Sequence, residues 1–208
     1  DKLGGICLNW GCIPTKALLK SAQVFDYVNH SENYGIKISK SSVDFDSIIS
    51  RSRGVADGMS KGVKFLMKKN KIDILNGFGK IISKNEVEVT TEENKKETHK
   101  SDNIIIATGG RSRELPNLKI DNKKVIEYRK AMTLEKQPKK MVVVGSGAIG
   151  SEFAYFYNSI GTEVILVEYL PNILPLEDID VSKQLEKSFK KAGLNIMTNT
   201  EVLSVDTS

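Results

Sequence analysis

Met141-Val142-Val143-Val144 runs into Gly145-Ser146-Gly147-Ala148-Ile149-Gly150 and on into Ser151-Glu152-Phe153-Ala154-Tyr155-Phe156-Tyr157. No other stretch restricts the fold as much. An apolar strand that meets three glycines at G-x-G-x-x-G spacing and then a helix is the start of a βαβ unit: Gly145 permits a tight turn, Gly147 lets backbone approach an anion, and Gly150 lets the helix pack close to the strand. The following strand, Thr162 to Val167, ends on Glu168, near the offset of about 20 residues at which a carboxylate accepts from a ribose 2′-hydroxyl. Together these predict a Rossmann-type site with Gly145, Gly147, Ala148, Ile149 and Gly150 around a pyrophosphate at the helix N-terminus. A 2′-phosphate would meet the charge of Glu168, and Tyr169-Leu170 offers no arginine to offset it, so NAD is favoured over NADP. The bland alternative is a structural βαβ turn with no nucleotide.

The only two cysteines lie in Gly4-Gly5-Ile6-Cys7-Leu8-Asn9-Trp10-Gly11-Cys12-Ile13-Pro14-Thr15-Lys16, which leads into the helix formers Ala17-Leu18-Leu19-Lys20. Pro14 suits the first turn of a helix, which puts Cys12 at or just before its N-terminus, where unpaired amides and the dipole favour a thiolate. Residues five apart on an ideal helix have Cα atoms about 8–9 Å apart, beyond the roughly 7 Å a disulfide spans. Pairing therefore requires a bend, which Trp10 and Gly11 can set, and a strained bridge is readily reduced. A redox-active dithiol is one reading; two reduced, buried thiols packed as small hydrophobes is the other, and spacing alone leaves both open. A zinc site needs four ligands, and the only histidines, His30 and His99, stand in unrelated contexts, so no metal site is expected.

The rest of the chain supplies a scaffold. Helical periodicity extends from the cysteine segment to about Asn29, and a second helix is expected from about Asp46 to Lys69, its Gly54, Gly58 and Gly62 forming a small-residue face for close approach of another element. Lys61, Lys64, Lys68, Lys69 and Lys71 give that helix a positive C-terminal end. Ile36 and Ile38 suggest a short extended piece, and Ile72–Leu75, Gly79–Ile82 and Val87–Thr90 an antiparallel meander, with His99 in a polar edge beyond it. Asp102 to Gly110 is apolar and ends in small residues, as a buried parallel strand does where it meets a ligand. Beyond Glu168 an amphipathic helix from Asp180 to Ala192 ends at Gly193, followed by strands at Leu194–Met197 and Glu201–Val205.

The formal charge is +5, but only five of the 31 basic residues are arginine and the lysines are spread along the chain. No basic stripe with interleaved aromatics marks a nucleic-acid partner. No run of about 18 apolar residues spans a membrane, and no charged-then-apolar leader opens the chain.

The stretch GGICLNWGCIPTKALLKSA resembles the redox-active segment of the flavoprotein disulfide reductases. Leu8-Asn9 and Thr15 to Leu19 are most similar to the dihydrolipoamide dehydrogenases among them. The likeness covers essentially the whole chain and implies an α/β architecture, the two-dinucleotide-binding flavoprotein fold, with Rossmann-like FAD- and NAD-binding domains that are each incomplete here. Residues 1–113 would be the FAD part with the cysteine pair and the meander, 114–138 a connection, and 139–208 the NAD part.

The resemblance further implies that Cys7 exchanges with the substrate disulfide and that Cys12 is the thiolate nearest the flavin. Lys16 would lie beside flavin N5 with Glu152 as its partner from the glycine-loop helix, and Ala107, Thr108 and Gly109 would lie close to the flavin. A dithiol and NAD require a carrier between them, which FAD supplies. The implied reaction is oxidation of protein-bound dihydrolipoamide to lipoamide with reduction of NAD, the implied partners are the lipoyl domains of 2-oxoacid dehydrogenase complexes, and the full-length protein would be a homodimer. A cytoplasmic location is expected, with the mitochondrial matrix or another organelle left open because the chain starts at Asp1 rather than a methionine. The first βαβ unit of the family pattern and its C-terminal His-Glu pair fall outside the sequence, so an internal fragment, inactive alone, is expected. Alternatives are a relative that reduces another disulfide or a metal ion, and a non-catalytic NAD-binding redox sensor.

Overall fold

A computed structural model describes residues 2–207; the outer limits of the two expected domains, residues 1 and 208, lie outside the described residues. The elements in chain order are α1 (Gly5–Trp10), α2 (Cys12–Asn29), a 3-10 turn (Ser31–Tyr34), α3 (Phe45–Lys69), β1 (Phe78–Ser83), β2 (Glu86–Thr90) and β3 (Lys96–Lys100). They continue with α4 (Tyr128–Ala131), β4 (Lys140–Val144), α5 (Ala148–Ser159), β5 (Glu163–Val167), α6 (Ile179–Lys191) and β6 (Asn195–Met197). Among the described residues the fold is mixed α/β with two sheets, an antiparallel β1-β2-β3 meander and a parallel β4-β5-β6 sheet.

The expected bend between the cysteines falls at Gly11, whose backbone (φ −139°, ψ −118°) separates α1 from α2. A Cβ there would lie 3.2 Å from both the Cys7 Cα and the Ile6 carbonyl oxygen, so any larger residue would require the end of α1 to give by a few tenths of an ångström. Beyond the break, the Gly11 carbonyl accepts from the Thr15 amide and hydroxyl at 3.0 and 2.7 Å, which starts α2.

Asp44 caps α3 by accepting from the Ser47 amide at 3.0 Å, and Lys68 and Lys69 match the dipole at its other end. The buried Ser52 hydroxyl of α3 donates to the Pro14 carbonyl at 2.9 Å, tying α3 to the first turn of α2. Leu18 and Ala22 of α2 and Phe45 and Ile49 of α3 belong to one apolar cluster with Phe153, Phe156 and Tyr157 of α5, Val164 and Leu166 of β5, and Leu194. Within it the Tyr157 hydroxyl donates to the Ala131 carbonyl at 2.6 Å.

Several local expectations differ from the fold. Ile72–Leu75 is not a strand; the meander is completed instead by β3, which pairs in register with β2 (Glu88 with Thr98, Val87 with His99). Its polar side chains hide the strand from apolar periodicity, while Lys96–Glu88 and Lys100–Glu86 ion pairs at 3.1 and 3.6 Å join its charges to those of β2. Residues 36–38, 102–108 and 201–205 are likewise not strands. Ile105 and Ile106 are 89% and 72% exposed, because a strand exists only through its ladder and no neighbour among the described residues supplies one. The face bearing Gly54, Gly58 and Gly62 also meets no other element: a Cβ at any of the three finds nothing within 4 Å among the described residues.

Candidate active site

The three glycines of the strand-to-helix turn stand in three different surroundings. Gly145 adopts φ +93°, which L side chains rarely take. A Cβ on Gly150 would lie 2.0 Å from the Gly145 carbonyl oxygen, so helix and loop are in backbone contact there. A Cβ on Gly147 would point into open space, and Gly147 caps α5 without any side-chain hydrogen bond. No side chain caps the first turn of α5 at Ala148 and Ile149, an arrangement that fits an anion such as a pyrophosphate.

Glu168 follows directly on β5 and is only 7% exposed. One carboxylate oxygen accepts from the Ser146 amide and hydroxyl at 2.8 and 2.6 Å, and the other from the Leu170 amide at 2.9 Å. Burial pushes its pKa up, but the bonds from Ser146 and Leu170 outweigh it and hold the carboxyl below its ordinary range. The Tyr169 backbone acts in the same direction, so most of the roughly four acceptor sites of this carboxylate are already engaged. Ser146, a mere spacer in the motif, is fully buried and anchors the loop to this acid, while its own carbonyl accepts from the Ser151 hydroxyl and the Leu174 amide. Nothing in the local sequence marks that role, which arises from the turn of the loop over the end of β5.

At the other pole, Cys7 lies on α1 and Cys12 is the first residue of α2. Both are free and exposed, which overturns the reading of them as buried packing thiols. The Cys12 thiol, hydrogen-bonded to that of Cys7, pushes the Cys7 pKa up, with desolvation adding to the effect; the Cys12 amide and Lys16 pull the other way. The two cysteines therefore stand on either side of the Gly11 bend. Gly109, at φ +77°, passes beside α1: a Cβ there would lie 3.4 Å from Ile6 Cδ1, and one on Gly110 3.9 Å. The segment carrying Ala107, Thr108 and Gly109 is thus brought beside the cysteine helix.

Between the poles, Lys16 of α2 forms an ion pair with Glu152 of α5. Lys16, Leu19, Lys20, Gln23 and Tyr155 line a groove of about 300 Å³ next to it. Sequence reasoning also passed over Arg53 of α3, whose guanidinium lies 4.3 Å from the centroid of the Trp10 ring. Among the described residues no cluster of three or more His, Cys, Asp or Glu has metal-ligating geometry, and no helix is long and apolar enough to cross a membrane.

The two cysteines thus lie one helix away from the helix that follows the glycine loop. The chain belongs to the pyridine nucleotide-disulphide oxidoreductase family, whose model matches residues 2–208. It is 48% identical over 198 residues to a dihydrolipoyl dehydrogenase of Zymomonas mobilis subsp. mobilis, covering 95% of this chain and 42% of that protein. A leghemoglobin reductase of Vigna unguiculata is 41% identical over 207 residues, covering 99% of this chain and 40% of that protein. Among solved structures, LpdA from Mycobacterium tuberculosis superposes with a TM-score of 0.91 at 25% identity, over 100% of this chain and 46% of that one. The chain thus spans under half the length of these relatives.

Proposed function

We propose that this chain is the dithiol and nucleotide-loop portion of a longer, homodimeric flavoprotein that oxidises protein-bound dihydrolipoamide and reduces NAD, serving the lipoyl domains of 2-oxoacid dehydrogenase complexes. The observation that carries this reading is the Lys16–Glu152 ion pair, which links the helix that begins at Cys12 to the helix that begins at the glycine loop. Residues 1–113 and 139–208 are assigned to the FAD and NAD halves, and 114–138 to the connection. Ala107, Thr108, Gly109 and Lys16 would hold FAD; Gly145, Gly147, Ala148, Ile149, Gly150 and Glu168 would hold NAD. Bound flavin supplies the two-electron chemistry that a thiol pair and a hydride acceptor cannot share directly.

With Cys7 and Cys12 bridged, a substrate thiolate attacks the Cys7 sulfur; that bond forms as the Cys7–Cys12 bond breaks, and Cys12 departs as a thiolate. The N-terminus of α2 and the ammonium of Lys16 favour that thiolate. The second substrate thiol then attacks the substrate sulfur held on Cys7, closing the cyclic disulfide. Two electrons now reside on the cysteine pair; one proton stays on Cys7 and the other leaves to solvent. Lys16, paired with Glu152, keeps a fixed positive charge beside the reduced pair.

Cys7→Ser in the purified, flavin-bearing protein should abolish oxidation of dihydrolipoamide while leaving the flavin bound. Undiminished turnover, or loss of flavin, would count against the assignment. The 41% identity to a leghemoglobin reductase gives a specific reason to assay a haem-protein acceptor and other disulfides in the same panel.

A further inference from the structure

Resting on the reading of Cys7 and Cys12 as a dithiol, we propose that Arg53 is a positioning residue for that pair: bonded to the Asn9 carbonyl and stacked on Trp10, it fixes the bend between α1 and α2 on whose two sides the sulfurs sit.

Asn9 and Trp10 are the last two residues of α1, where a helix leaves its carbonyls without intrahelical partners. Arg53 Nη2 donates to the Asn9 carbonyl at 2.7 Å, across from α3. The Asn9 side chain is buried, and its amide donates to the Leu3 and Gly5 carbonyls at 2.9 and 3.0 Å. The residue is therefore held from both ends, on one side by the loop that enters α1 and on the other by Arg53. Trp10 carries the Arg53 guanidinium at 4.3 Å from its ring centroid, and Arg129 of α4 at 5.5 Å. The last turn before Gly11 thus has few ways to move.

Arg53 pays a solvation cost for this place. Its Nη1 is buried with no hydrogen-bond partner among the described residues, and burial lowers its pKa, with Asp57 opposing that shift. A side chain serving only to fill the space would be better apolar, since an unsatisfied buried donor is a penalty that such a residue avoids. The guanidinium is the group that gives a donor for the carbonyl and a flat face for the indole at once.

The consequence is preorganisation. Cys7 and Cys12 form a bridge only if the Gly11 bend brings them together, and holding reacting groups in place replaces a search with a local event. Loosening the bend lowers the effective concentration of one sulfur at the other and makes the bridge easier to reduce.

The test is an anaerobic equilibrium of the flavin-bearing protein in mixtures of reduced and oxidised dithiothreitol, read by alkylation of free thiols and mass. In this exchange the Cys7–Cys12 bond forms and the reagent's disulfide breaks, two electrons and two protons passing to dithiothreitol. Arg53→Met should lower the constant for bridge formation about tenfold, equivalent to about 30 mV for a two-electron couple. Arg53→Lys, which keeps a cation and a donor but not the flat stack, should fall between it and the wild type, and carries the test if Arg53→Met does not accumulate folded. Arg51→Met is the packing control, because Arg51 Nη1 donates to the Ala17 carbonyl of α2 at 2.8 Å without touching the bend. A constant unchanged in the Arg53 variants, or a drop matched by Arg51→Met, overturns the proposal. A wild-type protein that never forms the bridge overturns the dithiol reading itself, and this inference with it.

Discussion

Lys16 and Glu152 are 136 residues apart in sequence, yet their side chains pair directly between α2 and α5. The pair is open to water, with side chains 62% and 31% exposed. Exposed ion pairs contribute about 0–1 kcal/mol to stability, so its place in the fold is not explained by folding energy. Glu152→Gln should therefore shift the unfolding free energy by less than about 1 kcal/mol. The same variant in the flavin-bearing protein should lower dihydrolipoamide turnover at least tenfold. Denaturant melts and steady-state assays on one preparation check both halves, and unchanged turnover would remove the pair from the mechanism.

The glycine loop offers a sharper separation of folding from binding. Gly150→Ala drives a methyl into the Gly145 carbonyl, with only 2.0 Å between the new Cβ and that oxygen. Because backbone rather than a pliable side chain must yield, the expected loss is about 3 kcal/mol, the upper part of the overpacking range. Gly147→Ala meets nothing within 4 Å, at an ordinary φ of −62°. It should leave the urea midpoint nearly unchanged while weakening NAD binding at least tenfold by calorimetry, since its methyl enters the space assigned to the pyrophosphate.

Glu168 gives a pH signature. Its folded pKa lies below the unfolded value, so its ionised form stabilises the fold above the unfolded pKa of about 4.3, and that contribution is lost as pH falls through the lower folded value. The gap in unfolding free energy between wild type and Glu168→Gln should be constant from pH 7 to about 5.5 and shrink steadily below about 4.3. Ser146→Ala, which removes the 2.6 Å hydroxyl donor, should cost about 1.5–3 kcal/mol at pH 7, in the range of hydrogen bonds to charged groups. A wild-type gap that grows on acidification would contradict the assignment.

Tyr157 is fully buried, and burial pushes its phenol pKa well above the ordinary value, so it stays a neutral donor to the Ala131 carbonyl. Tyr157→Phe keeps the ring and orphans that oxygen. Chemical denaturation should show a loss of about 1–3 kcal/mol, with the nucleotide affinity unaltered.

The parts of the fold that could be read in the chain are those whose reasons are local. Met141 to Gly150 with Glu168 announced a strand, a turn, a helix and an acid because each step depends on neighbours in sequence. Pro14 and the helix formers behind it placed Cys12 at a helix start for the same reason. By contrast, the Ile104–Ile106 run told only that apolar side chains seek cover, not which strand would pair with it. Lys96–Lys100 stayed hidden because its reason for being a strand lies in Glu86 and Glu88, a turn away. Ser146 and Arg53 owe their roles to contacts that form only once β5 and α3 are in place.

The apolar cluster that joins Leu18 and Ile49 to Tyr157 and Leu166 draws on residues from both sides of the 114–138 stretch. A cut within residues 114–138, made to obtain either half alone, would bare oily surface on both products. Each is therefore expected to cling to the other or to itself when the two are made apart, and to melt together when they are not.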